Sequence, residues 1–231
     1  MRQIFHSLPW IPDPEPPELR KLYEEFGVPM TFRNGALLKQ KGAQNKAFLI
    51  VEGLAAYYIA DRYKSHPSVL NLLIPGRSAC DLSALLENRV NVTTRAIGTC
   101  TALMVPPSLI RNAMEGDAKL ATLVAQHVLK KSECSIEAMV ANFTLEPSQR
   151  LKTFLCVIFA SFNQPVQEGW NKVPLRLNNE QYGAIVNLTR VSVSRLFSEW
   201  SSKELLKKEG SQIWIRPEIF EGVYDWLNGL R

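Results

Sequence analysis

The chain has 231 residues, of which 46% are hydrophobic and 21% charged, and its formal net charge at pH 7 is +5. This balance is typical of a globular protein with one large or two small domains, and it excludes a polybasic or disordered chain. The N-terminus lacks the apolar run of a secretory signal. No stretch approaches the roughly 18 consecutive apolar residues of a membrane helix, so the sequence predicts a cytoplasmic protein without membrane association.

Residue types with catalytic or metal-binding chemistry are few and scattered. No two cysteines have C-x-x-C spacing, so we expect buried free thiols, with a redox-sensing role for one of them left open. The cysteines are Cys80, Cys100, Cys134 and Cys156. The histidines His6, His66 and His127 are far apart in sequence, and no H-x-H, G-x-S-x-G or phosphate-loop pattern occurs. The sequence therefore predicts no enzyme activity, no metal site and no cofactor.

The residue composition of the N-terminal half changes after the first 18 residues. Residues 1–18 are rich in proline and acidic residues, which predicts an irregular arm, and a short helix is expected around Leu19 to Phe26. From Phe32 to Val105 the chain shows short apolar runs separated by turn residues, among them Gly53 and Gly98. Many short strands at this spacing predict a jelly-roll or similar β-barrel within a domain of residues 19–117.

A long helix is predicted for residues 118–144. Pro106 and Pro107 end the strands, and the apolar residues that follow recur at helical spacing in an imperfect stripe. This stripe could pack on its own barrel or pair with the same helix of a second subunit. Glu146-Pro147 then breaks the helix, which places a domain boundary near residue 145.

The segment from Leu177 to Trp200 has the pattern of two short helices joined by a tight turn. Gly183 lies in the first helix, where a missing side chain lets the second helix pack closely, and Asn187 lies at the joint, where a left-handed residue is often needed. Thr189 is the predicted N-cap of the second helix. The second helix leaves polar and cationic side chains away from its packed face. The predicted DNA contacts are Thr189, Arg190, Val191, Ser192, Ser194 and Arg195.

A short strand hairpin follows the two helices. Residues 213–215 are a β-type run preceded by the turn residues Gly210 and Ser211. A pair of ordinary packed helices with solvated arginines would explain the helical pattern alone. A β-hairpin that directly follows the two helices in sequence, however, is typical of a winged helix. We therefore predict a winged helix-turn-helix domain over residues 145–231. This prediction favours dimerisation through the long helix, because two such domains can bind two half-sites of DNA.

The order of barrel, long helix and winged helix resembles the CRP/FNR family of transcription regulators over nearly the whole chain. Three segments carry the resemblance: residues 32–53, the run Ser148-Gln149-Arg150-Leu151, and residues 183–195, which end in Val193-Ser194-Arg195. The resemblance implies an α+β protein with an N-terminal jelly-roll β-barrel sensor domain, a long dimerisation helix and a C-terminal winged helix. It also implies a homodimer that binds a palindromic site in double-stranded DNA, with RNA polymerase as a candidate partner.

The predicted barrel departs from the family members that bind cyclic nucleotides. Those members carry a Gly-Glu pair and an Arg-Ser pair that hold the ribose hydroxyl and the cyclic phosphate. Here Cys80-Asp81 replaces the first pair, and Arg89 lies in the region of the second without an adjacent hydroxyl. The resemblance thus makes Cys80, Asp81 and Arg89 candidate effector contacts, while the incomplete cradle argues against cyclic AMP or GMP. We expect an unidentified small-molecule effector.

The second helix of the predicted motif also departs from the family at one position. Many members have Glu one residue after the position of Arg190, where a carboxylate can accept a hydrogen bond from cytosine. Val191 stands there in this chain, and its methyl groups can pack on a thymine methyl, which predicts a preference for A·T. The sequence predicts a dimeric, signal-controlled transcription regulator. The alternative is a ligand- or protein-binding module whose winged helix serves interaction rather than DNA recognition.

Overall fold

The computed structural model describes residues 4–39, 46–59, 68–79 and 92–223, and the chain divides into two compact units. The N-terminal unit is Pro12–Ser135, and the C-terminal unit combines Met1–Ile11 with Ile136–Arg231. The division therefore falls inside the long helix, before the boundary predicted near residue 145. The start of the N-terminal arm belongs to the C-terminal unit, although the two are far apart in sequence.

The N-terminal unit is built on an antiparallel sheet preceded by a helix. Helix α1 (Pro17–Phe26) starts two residues before the predicted Leu19, with a proline in its first turn, where no backbone N–H is required. It buries Leu19 and Tyr23, which are one turn apart. The described strands are β1 (Val28–Phe32), β2 (Leu37–Lys39), β3 (Ala47–Ile59), β4 (Ser68–Leu73), β5 (Ser78–Ala79) and β6 (Val92–Val105).

Strands β3 and β6 form the centre of this sheet. The order is β1-β6-β3-β4, with β2 paired to β6 and β5 paired to β3, and every pairing is antiparallel. Pairing of β3 with β6 runs from Ala47 opposite Val105 to Ile59 opposite Val92. Alternate side chains of these strands enter the core, which includes Phe48, Ile50, Leu73, Ala96, Cys100 and Ala102.

Two glycines that the sequence suggested as turns lie inside long strands. Gly53 has a φ of 77° and Gly98 a φ of 71°. A Cβ atom at Gly53 would lie 2.1 Å from the carbonyl oxygen of Thr99, and the pairing register shifts on both sides of Glu52. Both glycines therefore accompany an irregularity in one continuous strand rather than a chain reversal. The short strands predicted before and after each glycine are joined into β3 and β6.

Two helices follow the sheet. Helix α2 (Pro107–Gly116) is followed by α3 (Ala118–Thr144), which has the extent predicted for the long helix. The Asp117 carboxylate accepts hydrogen bonds from the N–H groups of Lys119 and Leu120, so it caps the start of α3. Among the described residues, no helix is both long enough and apolar enough to cross a membrane.

The second half of the N-terminal arm is fixed to the N-terminal unit by a buried carboxylate. Glu15 accepts hydrogen bonds from the Ser78 N–H at 3.0 Å and from Lys131 Nζ at 2.5 Å, and His127 Nε2 lies 3.1 Å from its other oxygen. Burial by itself raises the pKa of the Glu15 carboxyl, but Lys131 and His127 outweigh burial and hold this pKa at about 2. These four residues are called the Glu15 cluster below.

The C-terminal unit consists of three helices and a small sheet beside the end of α3. Its elements are α4 (Pro147–Ser161), β7 (Asn171–Lys172), α5 (Asn179–Val186), α6 (Arg190–Ser202), β8 (Leu206–Glu209), β9 (Gln212–Ile215) and a 3₁₀ turn (Pro217–Phe220). The strands pair antiparallel in the order β7-β9-β8. The predicted fold class is confirmed: an antiparallel N-terminal sheet, a long helix and a C-terminal winged helix.

A line of aromatic rings runs through the C-terminal unit. Trp10 contacts Phe154 with 5.6 Å between ring centroids, Phe154 contacts Tyr182 at 6.0 Å, and Tyr182 contacts Phe197 at 5.3 Å. Each of these contacts is edge-to-face, the arrangement that aromatic quadrupoles favour. Trp200 continues the line at 5.8 Å from Phe197. This aromatic ladder joins the N-terminal arm to α4, α5 and α6.

Candidate nucleic-acid interface

Helix α5 is defined by caps at both ends. The Asn178 side chain accepts a hydrogen bond from the Gln181 N–H at 2.9 Å, and the Gln181 side chain accepts one from the Asn178 N–H at 2.8 Å. This reciprocal pair is a capping box, which satisfies backbone donors that the first turn leaves free. The helix ends at Asn187, which has φ 52° and ψ 49°. The left-handed conformation predicted for Asn187 is confirmed.

The joint between α5 and α6 is as tight as predicted. A Cβ atom at Gly183 would lie 2.4 Å from the carbonyl oxygen of Leu188, so a larger residue would force the two helices apart. Thr189 is the N-cap of α6, because its hydroxyl accepts a hydrogen bond from the Ser192 N–H at 3.1 Å. The Thr189 and Ser192 hydroxyls also lie 2.9 Å apart.

The predicted DNA contacts are brought together at the N-terminal half of α6. One face of α6 is buried through Val193, Phe197 and Trp200. The predicted residues lie off that face: Thr189, Arg190, Val191, Ser194 and Arg195 are exposed, and Ser192 is partly buried. Ser198, one turn after Ser194, is also exposed on α6.

A groove of about 370 Å³ lies at the N-terminal ends of α5 and α6. It is lined by the two helix starts and by the turn between β8 and β9, through Leu177, Asn178, Asn179, Glu180, Arg190, Lys208, Gly210, Ser211 and Ile213. Lys208 Nζ donates a hydrogen bond to Asn179 Oδ1 at 2.9 Å and lies 4.6 Å from the centre of the Phe197 ring. Burial lowers the pKa of Lys208. Lys208 was not among the predicted DNA contacts, although its position beside the turn between β8 and β9 was a usable signal.

A buried arginine supports the joint from behind. Arg150 donates hydrogen bonds to the carbonyl oxygens of Val186 at 3.0 Å, Asn187 at 3.2 Å and Leu145 at 3.0 Å. The last carbonyls of a helix have no partner within it, and Arg150 supplies one at the end of α5. Burial lowers the pKa of Arg150, and Glu146 opposes that effect. The sequence pattern marked Arg150 only as part of the resemblance, because its partners are distant in sequence.

The other face of the small sheet carries cations stacked on tryptophans. Lys207 Nζ lies 5.1 Å from the ring centres of both Trp170 and Trp214, and the Arg216 guanidinium lies 5.0 Å from the Trp170 ring centre. Because alternate residues of a strand face opposite sides, Lys207 lies on the face opposite to Lys208. This second surface, called the tryptophan face, was not predicted from the sequence.

The predicted effector residues Cys80, Asp81 and Arg89 lie outside the described residues. Among the cysteines that are described, Cys100 and Cys134 are buried, and burial raises the pKa of the Cys100 thiol to about 11. Cys100 therefore stays protonated at neutral pH and is a poor nucleophile. Within the described ranges, no group of three or more His, Cys, Asp or Glu side chains could hold a metal ion.

Comparison with known proteins agrees with this geometry. Residues 149–217 match the Crp-like helix-turn-helix domain. FixK2 from Bradyrhizobium japonicum superposes with a TM-score of 0.71 at 16% identity, over 84% of this chain and 94% of that chain. A CRP/FNR family transcriptional regulator from Thermus thermophilus gives 0.65 at 16% identity, over 85% and 100%.

A third solved structure covers more of the chain. CprK in complex with OCPA superposes with a TM-score of 0.67 at 16% identity, over 96% of this chain and 99% of that chain. No curated protein sequence matches this chain. At these identities the solved structures show a shared fold, and the domain match concerns the C-terminal unit. The resemblance predicted from the sequence is thereby confirmed: the chain carries a Crp-like helix-turn-helix domain within the fold of the CRP/FNR transcription regulators.

Proposed function

We propose that this protein is a sequence-specific transcription regulator that binds an inverted-repeat operator as a homodimer, under the control of a signal sensed by its N-terminal unit. The observation that carries the proposal is the exposed N-terminal half of α6 within a Crp-like helix-turn-helix domain. In this motif the second helix enters the major groove with its N-terminal residues against the base edges. The side chains exposed there on α6 include two arginines, which suit guanine and phosphate.

The exposed residues of α6 divide into two roles. Val191, Ser194, Arg195 and Ser198 recur at i, i+3, i+4 and i+7 and so share one face, which we assign to base contacts. Arg190 lines the groove with Lys208, the helix starts and the wing turn. Cations and free N–H groups at helix N-termini attract phosphate, so we assign Arg190 to the DNA backbone.

Val191 is the residue for which we propose a specific base preference. Its side chain is 75% exposed although it is apolar. An apolar side chain on the DNA-facing helix can contact the C5-methyl group of thymine but cannot accept a hydrogen bond from cytosine. We therefore expect A·T at the base pair opposite Val191.

An exposed apolar seam on α3 supports the homodimer. Leu129, Ile136, Met139 and Phe143 are all exposed, Leu129 by 64% and Phe143 by 83%. Their spacings of seven, three and four residues match the a and d positions of a coiled coil. The opposite side of α3 is buried through Val124, Cys134, Ala138 and Ala141. One face of the helix therefore packs within the chain, and the seam fits the same helix of a second copy.

The remaining parts of the proposal rest on the resemblance. We propose that the sensed signal is a small molecule other than a cyclic nucleotide, with Cys80, Asp81 and Arg89 as candidate contacts. RNA polymerase and a cytoplasmic location belong to the same proposal, because a bacterial-type regulator of this fold acts where DNA is transcribed.

Selection from a random double-stranded DNA library tests the proposal. Purified full-length protein should enrich an inverted repeat whose half-sites are about 10 base pairs apart, centre to centre. Arg195→Ala should abolish the enrichment or relax the sequence at one position. Lys203→Ala is the matched control, because it removes one exposed cation at the far end of α6, where Lys203 pairs with Glu199 at 2.7 Å. Equal loss in both variants would mean non-specific attraction and would contradict sequence-specific binding.

The tryptophan face favours the alternative of an interaction module. The tryptophan face consists of Trp170, Trp214, Lys207 and Arg216, and tryptophan and arginine are residue types enriched at protein interfaces. Salt dependence separates the two functions. Binding through phosphates weakens steeply as salt is added because counterions are released, whereas a protein interface responds less. A shallow salt slope together with no enriched DNA would favour the interaction module.

A further inference from the structure

The first half of the N-terminal arm is part of the core of the C-terminal unit. Trp10 is 0% exposed and Ile11 is 1% exposed. Trp10 has a φ of 64°, a conformation that bulky residues rarely adopt and that persists only where packing over-determines it. The Phe5 N–H donates a hydrogen bond to the buried Glu137 carboxylate on α3. The arm is thus fixed within this unit at two points.

The aromatic ladder connects Trp10 to the DNA-facing helix. Trp10 supports Phe154, Phe154 supports Tyr182, and Tyr182 supports Phe197 on α6. Packed interiors transmit a displacement because they contain few voids. The Phe197 ring also contacts Lys208, whose Nζ lies 4.6 Å from the ring centre and which lines the groove at the start of α6. Removal of Trp10 therefore removes the first support of a line that ends beside the candidate DNA contacts.

The arm has a second anchor five residues after Trp10. Glu15 is held in the Glu15 cluster by Lys131 and Ser78, which belong to the N-terminal unit. The Arg77 guanidinium also donates a hydrogen bond to the carbonyl oxygen of Pro12 at 3.1 Å. The chain therefore passes from one unit to the other between Ile11 and Pro12, a step that lies between the buried Trp10 and the buried Glu15. It passes between the units a second time within α3.

We propose that the N-terminal arm positions the recognition helix α6, with Trp10 as the positioning residue and the Glu15 cluster as the anchor through which the state of the N-terminal unit reaches that helix. The proposal rests on the DNA-binding function proposed above. It assigns a role to a segment that the sequence describes only as irregular. Trp10 would touch no DNA, and it would act through Phe154 and Tyr182.

The first test compares substitutions of buried aromatic residues in the full-length protein, at a temperature where circular dichroism shows every variant folded. Trp10→Ala should weaken binding to the selected operator about tenfold, the equivalent of one lost aromatic contact, and Trp10→Phe should restore most of it. Phe220→Ala is the control, because Phe220 contacts Phe159 in the same unit and lies outside the ladder. An equal loss of affinity in Trp10→Ala and Phe220→Ala would show that Trp10 only stabilises the unit in general, and this result would overturn the proposal.

The second test is a double-mutant cycle between Glu15 and Trp10. Glu15→Gln should change operator affinity about threefold in the wild-type background, because it weakens the anchor of the arm. The same substitution should have no effect in a Trp10→Ala background, where the arm no longer supports α6. An equal effect in both backgrounds would show that Glu15 acts through α3 rather than through the arm, and no effect in either would exclude the anchor.

Amide hydrogen exchange tests the role of the arm independently of DNA binding. If the wild-type protein enriches no DNA, the proposed function fails, but the arm can still be tested. Trp10→Ala should then reduce the protection of backbone amides in α6 by about tenfold, whereas Phe220→Ala should reduce it much less. Unchanged protection of α6 in Trp10→Ala would overturn the positioning role in the absence of any ligand.

Discussion

Glu15 in the N-terminal unit and Arg150 in the C-terminal unit are both buried, and their charges are stabilised differently. Glu15 faces the cation Lys131 as well as the Ser78 N–H and His127, whereas Arg150 faces three neutral backbone carbonyls. Removal of Glu15 leaves the cation Lys131 behind, whereas removal of Arg150 leaves three carbonyl dipoles and the exposed carboxylate of Glu146. Glu15 can also lose its charge within an accessible pH range, but an arginine cannot. The stabilisation by Glu15 therefore depends on pH, whereas the stabilisation by Arg150 does not.

Glu15→Ala should have the largest effect on stability. Loss of one partner of a buried ion pair typically costs about 3 to 5 kcal/mol, because the remaining charge has lost its counter-charge. We expect this decrease in the free energy of unfolding, measured by urea denaturation at pH 7. Glu18→Ala is the control, since Glu18 is an exposed carboxylate three residues later. A cost below about 1 kcal/mol would show that Lys131 is readily solvated without Glu15.

Arg150→Met should have a smaller effect. Its removal leaves carbonyl oxygens of Leu145, Val186 and Asn187 without this donor, and a buried unsatisfied group costs about 1 to 3 kcal/mol, partly relieved when water enters. We expect a total of about 2 to 3 kcal/mol in the same denaturation experiment. Arg150→Lys should recover part of it by donating to one or two of the carbonyls. If Arg150→Met costs more than Glu15→Ala, the contrast between charged and neutral partners is wrong.

Mild acid should lower the free energy of unfolding through Glu15 but not through Arg150, by less than either substitution does. The folded-state pKa of Glu15 is depressed to about 2 from 4.5, so its stabilising contribution is present above pH 4.5 and is lost as pH falls toward 2. Between pH 5 and pH 3.5 this loss amounts to about 1 kcal/mol. Glu15→Gln should lose that part of the pH slope, and Arg150→Met should keep it. Identical slopes in the wild type and in Glu15→Gln would contradict the depressed pKa.

The features predicted correctly from the sequence depend on residues close together in the chain. The Asn187 turn, the close packing at Gly183 and the Thr189 cap each involve partners within about five residues, so local patterns are sufficient. The separation of α6 into a buried face and an exposed face followed from helical periodicity for the same reason. The extent of α3 was also predictable, because Asp117 and the break at Glu146-Pro147 mark its ends locally.

The features that were missed depend on contacts between distant residues. Trp10 contacts Phe154, and no local pattern connects an irregular arm with a helix so far along the chain. The partners of Arg150 at the end of α5 are similarly remote. Gly53 resembles a turn residue in sequence, and only the paired strand, whose Thr99 carbonyl oxygen leaves no room for a side chain, explains why a glycine stands inside a continuous strand. Tertiary packing decides each of these cases, so a single sequence does not reveal them.

The placement of Trp10 means that the unit with the helix-turn-helix domain is built from two separate stretches of the chain. A fragment that begins at Ile136 would contain every element from α4 to β9 but would lack the first ring of the aromatic ladder. Such a fragment should expose Phe154 and be less soluble and less stable than the same module in the full protein. A chimaera that exchanged this unit between proteins of the same fold would have to transfer two stretches of chain, Met1–Ile11 and Ile136–Arg231, to keep the unit intact.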